Sequence, residues 1–566
     1  MSEAQDVTGG DGRRERASRR TLLAAATVVV VALVVVGGVS AFVVASGAPR
    51  TPVAPRFVEE TATAGIDHTF DGGLKYFTGG GVAVLDCDGD GRPDVYLAGG
   101  EHPAGLYRNE TAVSGPLRFT QVPDSGTELS AVTGAYPLDV DADGFDDLAV
   151  LRVGQSMLLR GLGDCRFEPA NEAWGVSPPP AWTTAFSATW EGAAVRPTMA
   201  FGNYVALDAA GEVASGCADS ELFRPDATGT GYGPAIPLAP GYCTLSILFS
   251  DWDGSGRRDL RVTNDRHYYA TGNDQLWRVA PGEPPREYTA ADGWVPMQIW
   301  GMGIASHDLT GDGLPEVYLT SQADNKLQTL AEGPSRPVYG DIALRRGVTA
   351  SQPFTGGDVL PSTAWHPEFQ DVNNDGLMDL FVSKGNVDEM PDYARRDPSN
   401  LFIGQPDGTF LEGAEAAGIV SFDKGRGAAL TDFNADGLLD LIEANLGAPV
   451  RLWRNVGTGT IDAPVPMGNW LAVRLGQPGG NRDAIGAIIE SRVGEAVTRR
   501  ETSVGGGHIG GQLGWTHVGL GPATEAQVRV TWPDGEVGPW MTIAANQFVD
   551  IERGAPVPAP AMPPGS

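Results

Sequence analysis

The chain has 566 residues, 42% of them hydrophobic and 20% charged, and its 71 acidic residues outnumber the 40 basic ones to give a net charge of −31. At about 100–200 residues per domain this length fits two to four domains. The acidity excludes nucleic acid as a partner, because phosphate contacts need clustered Lys and Arg. Glycine (77) and proline (42) are abundant but below the level of a disordered low-complexity chain, so many tight turns are expected. The four cysteines, Cys87, Cys165, Cys217 and Cys243, are too few for a disulfide scaffold and lack the CxxC spacing of a zinc site.

Residues 21–49 carry no charge, and a membrane span needs about 20 apolar residues. Arg13, Arg14, Arg16, Arg19 and Arg20 precede this run, and only Arg50 and Arg56 follow it closely. The positive-inside rule then makes residues 1–20 a cytoplasmic tail, 21–46 a single transmembrane anchor in the cell membrane, and 47–55 a linker to an extracytoplasmic bulk. A second reading stays open. Ser18-Arg19-Arg20-Thr21-Leu22-Leu23 resembles a twin-arginine export signal with small residues for cleavage near Ala45–Ala48, which would give a secreted protein. Both routes export the chain and so permit a disulfide such as Cys217–Cys243.

Beyond the linker one pattern recurs: an apolar run, then D-x-[DNST]-x-[DNS]-G-x-x-[DE], then another apolar run. Positions 1, 3, 5 and 9 of its six copies are Asp86, Asp88, Asp90 and Asp94; Asp139, Asp141, Asp143 and Asp147; Asp251, Asp253, Ser255 and Asp259; Asp308, Thr310, Asp312 and Glu316; Asp371, Asn373, Asp375 and Asp379; and Asp432, Asn434, Asp436 and Asp440. Successive copies start 53, 112, 57, 63 and 61 residues apart, and the long interval holds a degenerate seventh copy at 187–192 (SATWEG). Each unit continues with strand-like runs such as VYLAGG (95–100), then LYRN (106–109) or RLWRN (451–455), and ends near A-G-[IV], as in GTFLEGAEAAGIV (408–420). Four short strands per unit of this length are the signature of propeller blades, so an all-β, seven-bladed propeller is expected over 56–458. Arg56–Ile66 resembles the last strand of a blade yet precedes the first loop, so it should complete the final blade.

The loops specify chemistry as well as shape. Oxygen side chains at 1, 3, 5 and 9, with glycine at 6 for the sharp bend, suit a hard cation such as Ca²⁺, which takes about 6–8 oxygens. Position 12 is apolar in most copies (Leu97, Leu319, Val382) and the flanks are strand-like, so these are not EF-hands. Four carboxylates within nine residues would repel without a cation. The expectation is up to six mainly structural Ca²⁺ ions, weakest at the 308 loop and lost at the 187 copy.

These repeats resemble the FG-GAP/VCBS repeats of integrin-like propellers. GNWLAVRLGQPGGNRDAIGAIIESRV (468–493), GGGHIGGQ (505–512), HVGLG (517–521) and VRVTWPDG (528–535) resemble the ASPIC/UnbV domain of the cartilage acidic protein family. The resemblance implies an exported calcium-binding propeller and a small β-rich domain over 465–553; residues 554–566, rich in Pro and Ala, are expected to be a disordered tail. One departure is His508, where that family usually has an aromatic ring.

Catalytic signatures are missing from the sequence: no G-x-S-x-G, HExxH or P-loop occurs, and Gly505-Gly506-Gly507 reads as a turn or a close backbone approach. The functional expectation is a binding, adhesion or scaffold module for a protein or glycan partner, with a monomeric ectodomain. The alternative is a propeller enzyme (hydrolase, lyase or cofactor-free cyclisation catalyst) with a site at the ring centre near His307, His366, Trp300 and Trp365.

Overall fold

A computed structural model describes residues 52–265, 272–555 and 558–560. The expected cytoplasmic tail and transmembrane anchor, as well as His267, lie outside them. Among the described residues no helix is long and apolar enough to cross a membrane. The architecture is all-β, with short helices of a single turn.

Each repeat folds as four antiparallel strands. In the first set these are Val82–Leu85, Asp94–Leu97, Gly105–Asn109 and Phe119–Gln121. Five such four-stranded sheets stand separately, and the sets beginning at Val132–Leu138 and Ala181–Thr189 are joined into one nine-stranded sheet by Ala181↔Gly154 and Trp182↔Val153. The degenerate copy therefore forms strands like the others. First strands pack on one another in chain order, from 82–85 through 132–138, 181–189, 244–250, 301–307, 364–370 and 424–431, and the last packs back on the first. Nearly every residue of these strands is buried, because both faces of each sheet meet a neighbouring sheet.

The G-[IV] pair that closes a unit, of which A-G-[IV] at 417–419 is one form, has a simple origin. After the fourth strand comes one helical turn, Asn171–Trp174, Ala343–Arg346 or Ala414–Ala417, ended by Gly175, Gly347 or Gly418 at φ between 72° and 83°. The following valine or isoleucine then drops into the core between sheets.

Phe57–Glu59 pairs antiparallel with Ala448–Asn455, in the register Phe57↔Asn455. The N-terminal segment thus supplies the fourth strand of the last sheet, as its sequence implied. All four cysteines are paired: Cys217–Cys243, and also Cys87–Cys165 across 78 residues, a link the spacing did not announce.

The C-terminal domain is two four-stranded sheets packed face to face. One contains Asn469–Gly476 parallel to Gln547–Glu552, and the other centres on Ile488–Val493 and Glu525–Thr531. Leu471, Val473, Ile489, Val528, Val530 and Ile551 fill the space between. Ala559–Pro560, in the stretch expected to be an unstructured tail, adds a two-residue strand to the first of these sheets.

Candidate metal centres and the domain that covers them

Every D-x-D-x-D-G loop joins the first strand of a set to the second. Position 1 follows the last residue of the first strand, and position 9 is the first residue of the second, as in Asp94–Leu97 and Asp440–Leu446. Short hairpin loops of this kind need local partners for their backbone amides, and the acidic side chains supply them. Asp86 accepts the amides of Gly89 (2.9 Å) and Gly91 (2.8 Å), and Asp90 accepts that of Arg92 (2.8 Å). The position-9 acid reaches further. Asp94 accepts the amide of Cys87 at 2.9 Å and, from the third strand, that of Asn109 at 2.7 Å. Asp147, Asp379 and Asp440 repeat this double bond in their own sets. Position 9 is therefore a structural staple besides being a candidate ligand.

Ligand convergence differs between loops. Carboxylate oxygens of Asp86, Asp88 and Asp90 come within 4.8 Å of one another, as do those of Asp139, Asp141 and Asp147. Oδ1 of Asp139, Oδ1 of Asp141 and Oδ1 of Asn434 are buried without a hydrogen-bond partner. Such oxygens carry a desolvation cost that a cation would remove. Cys87, Asp94 and Cys165 also cluster, but the disulfide between the cysteines removes them as ligands.

Burial pushes the loop carboxyls up, Asp86 to about 6 and Asp147 to about 8, with neighbouring acids adding to the effect. Asp94, Asp379, Asp432 and Asp440 are raised well above the ordinary range for the same reasons. These groups are placed where ionisation is unfavourable unless positive charge arrives, and a divalent ion inverts that preference. In the first two loops the converging oxygens are of the kind that would suit Ca²⁺.

The loop at 251–259 is different. Arg257 bonds Asp259 Oδ1 at 2.9 Å and Asp253 Oδ2 at 3.4 Å, while Trp252 Nε1 (2.9 Å) and the Tyr288 hydroxyl (2.7 Å) donate to Asp259 Oδ2. A resident guanidinium already neutralises its acids. At the degenerate copy Glu191 pairs with Arg224 at 2.7 Å. Arg160 bridges Asp141 (2.9 Å) and Asp143 (2.7 Å) from the rim of the second loop.

The C-terminal domain rests on all six loops. Trp515 Nε1 donates to Gly91 O (3.1 Å), Arg258 Nη1 to Pro533 O (2.9 Å), and Arg499 lies 3.4 Å from Asp308. His517 Nε2 donates to Asn374 Oδ1 at 2.6 Å. Arg482 and Trp470 lie so close over Gly144 and Gly437 that a Cβ at either glycine would collide with them. From this domain the segment 503–513 descends between the first strands. It exchanges backbone bonds with Val84, Ala188, Ile247 and Ile304, and brings the backbone of Ile509 against Gly81 and Gly134, where no Cβ fits. His508 sits at its tip, with Nδ1 3.1 Å from Met302 O and Nε2 2.9 Å from Thr78 O, and its ring packs at a tilt 4.9 Å from Trp365. Of the two readings of Gly505-Gly506-Gly507, a turn or a close backbone approach, the structure shows the approach, to Ser187 and Ile304 among others.

The four residues suggested for a ring-centre site separate into pairs. Trp365 and Trp300 belong to an apolar cluster with Trp182, Tyr204 and Met302, whereas His307 and His366 line a cavity under the C-terminal domain.

The family comparison follows the same division of the chain. The FG-GAP-like repeat model matches residues 86–188 and 371–443, and the model described as ASPIC and UnbV matches residues 477–557. The chain carries FG-GAP-like repeats and an ASPIC and UnbV domain. It is similar to cartilage acidic protein 1 of Mus musculus, at 27% identity over 230 residues, and of Homo sapiens, at 26% over 235. These matches cover 37% and 38% of this chain and 32% of each relative, so the chain spans about a third of their length. A crystal structure of BBS1N in complex with ARL6DN is similar at 10% identity and a TM-score of 0.40, over 72% of this chain and 100% of that one. In FG-GAP terms the D-x-D-x-D-G loops are the hairpins between the first two strands, and the ASPIC and UnbV domain is what covers them.

Proposed function

We propose that this chain is a membrane-anchored, extracytoplasmic, seven-bladed propeller whose loops hold calcium, and that it serves as a binding, adhesion or scaffold module for a protein or glycan partner. The observation that carries the calcium reading is the second loop, where two buried oxygens, Asp139 Oδ1 and Asp141 Oδ1, lack any donor within a converging acidic set. The ions are structural: they fix the hairpins on which the C-terminal domain rests. The two disulfides suit an exported chain. With one face covered by its own domain, the opposite face is the partner surface. Leu74, Val295 and Val359, each at least 74% exposed, lie there on segments leading into first strands.

Extracellular modules commonly bind Ca²⁺ at about 10⁻⁴–10⁻³ M. Chelator-stripped full-length protein should therefore take up calcium in titration calorimetry and melt higher in its presence, with magnesium a poor substitute. Asp90→Ala and Asp143→Ala should cost more of this uptake than Thr310→Ala. Absence of uptake together with a melting curve indifferent to chelator would refute the calcium reading. Retention of the full chain in membranes after a carbonate wash tests the anchor, and a pull-down with and without Ca²⁺ tests the partner.

A further inference from the structure

A cavity of about 280 Å³ lies between the first strands and the C-terminal domain. At about 30 Å³ per water-sized group it holds roughly nine such groups. One wall is formed by His307, His366 and Glu368, and the other by Arg499, Arg500 and Glu501 with the segment that returns from His508. Most charged groups here are satisfied within the protein. Glu368 accepts Gln512 Nε2 (2.8 Å), Gln370 Nε2 (2.7 Å) and the amide of Leu430 (3.1 Å). His366 Nδ1 accepts the amide of His508, while its Nε2, 3.5 Å from Glu368, is buried without a hydrogen-bond partner. Glu501 is held by Arg258 and the amide of Asp251, and Arg499 lies between Glu490 and Asp308.

Two groups stand apart. Arg500 has no carboxylate within ion-pair distance among the described residues, and its Nη1 donates to a neutral oxygen, Gln370 Oε1, at 2.6 Å. His307 is 6% exposed, packs its ring 6.1 Å from Phe369, and makes no hydrogen bond through either ring nitrogen among the described residues.

We propose that this chamber binds a small carboxylate, paired with Arg500 and hydrogen-bonded by His307. Arg500 is half-buried and its Nη1 meets only a neutral oxygen, which leaves donors to offer, and its planar fork matches a carboxylate with two parallel bonds. Glu368 acts on Arg500 only from beyond the bridging Gln370, so little positive charge is left to offer, and a carboxylate monoanion is favoured over the phosphate dianion. The ring nitrogens of His307, which have no partner among the described residues, can hydrogen-bond a polar substituent on the ligand. Neither Arg500 nor His307 is itself a loop ligand, so calcium uptake and carboxylate binding are read separately.

The test is titration of calcium-loaded full-length chain with acetate, gluconate and inorganic phosphate, each against chloride at equal ionic strength, read by calorimetry and thermal shift. One carboxylate per chain should bind saturably, with phosphate at least about tenfold weaker, which corresponds to about 1.4 kcal/mol. Arg500→Gln should weaken the carboxylate by about tenfold or more, and Arg500→Lys and His307→Gln by less. If Arg500→Gln does not fold, His307→Gln decides by the same readout. Binding of neither carboxylate, tighter binding of phosphate, or undiminished binding in the variants would overturn the assignment, the first outcome leaving a chamber that holds solvent only.

Discussion

Glu60 and Arg454, separated by 394 residues, form an ion pair of 2.9 Å with side chains only 3% and 2% exposed. The pair lies beside the Phe57↔Asn455 register and ties the segment before the first sheet to the third strand of the last. Glu60 also accepts the amide of Leu117 at 2.7 Å, so it joins two neighbouring sheets. Removing one member of a buried pair strands the other and costs about 3–5 kcal/mol. Glu60→Ala should lower the unfolding free energy by that amount in a urea melt. Deleting 56–66 should lower the melting temperature further and cause aggregation by baring a sheet edge. An unchanged midpoint in both would mean that the N-terminal strand does not close the structure.

A second expectation concerns the segment that descends between the first strands. His508 is fully buried, and its neutral ring can donate to only one of the two carbonyls it faces. His508→Ala removes the packing of its ring on Trp365 and leaves a cavity, for which about 2–4 kcal/mol is the expected loss. His508→Phe refills the volume without a donor and should fall between. Denaturant melts give the ranking, and protease cleavage within 503–513 should rise in step with it. Equal stability for all three proteins would exclude an anchoring role.

The repeat was legible in the sequence because each loop uses its acids locally: Asp86 and Asp90 satisfy amides within the same nine residues, so the pattern is written in consecutive positions. Closure by Phe57–Glu59 was legible because the segment has the form of a fourth strand. What stayed hidden depends on contacts distant in the chain. Nothing in the spacing of Cys87 and Cys165 indicates that a loop of one sheet meets a hairpin of the next. The run GGGHIGGQ signals close approach, but its partners Gly81 and Gly134 lie more than 300 residues upstream. Arginine at position 7 is equally ambiguous, since Arg257 hydrogen-bonds Asp253 and Asp259 of its own loop whereas Arg92, only 3.7 Å from Asp90, donates to Asn109 O at 3.3 Å.

That contrast gives a third prediction. Arg257 supplies the positive charge of the 251–259 loop, so calcium and the guanidinium compete for Asp253 and Asp259. Arg257→Gln should destabilise the calcium-free protein by about 1.5–3 kcal/mol, the range for hydrogen bonds to charged groups. It should also add a calcium equivalent, or tighten a weak one, in calorimetry. If neither the calcium-free melt nor the stoichiometry moves, Arg257 is not acting as an internal cation.

The last prediction is a pH dependence whose sign reverses with calcium. Burial raises Asp147 to about 8 and Asp86 to about 6, so without the ion the folded protein keeps protons that the unfolded chain has released. Stability then falls as pH rises from about 4 towards these values. His307, His508 and His517 act oppositely: burial depresses each to about 3, so the unfolded chain binds more protons below the ordinary histidine value of 6.5, and stability falls as pH drops through that range. Between pH 6.5 and 8 only the carboxyl contribution remains. At about 1.4 kcal/mol per pKa unit, Asp147 alone should cost the calcium-free protein about 2 kcal/mol across this window. Calcium keeps the loop carboxylates ionised in the folded state, so the calcium-loaded protein should lose that decline and weaken only on the acid side. Melting temperatures of stripped and calcium-loaded protein from pH 5 to 8 measure both limbs. Parallel curves above pH 6.5 would mean that the loop acids do not exchange protons for the ion.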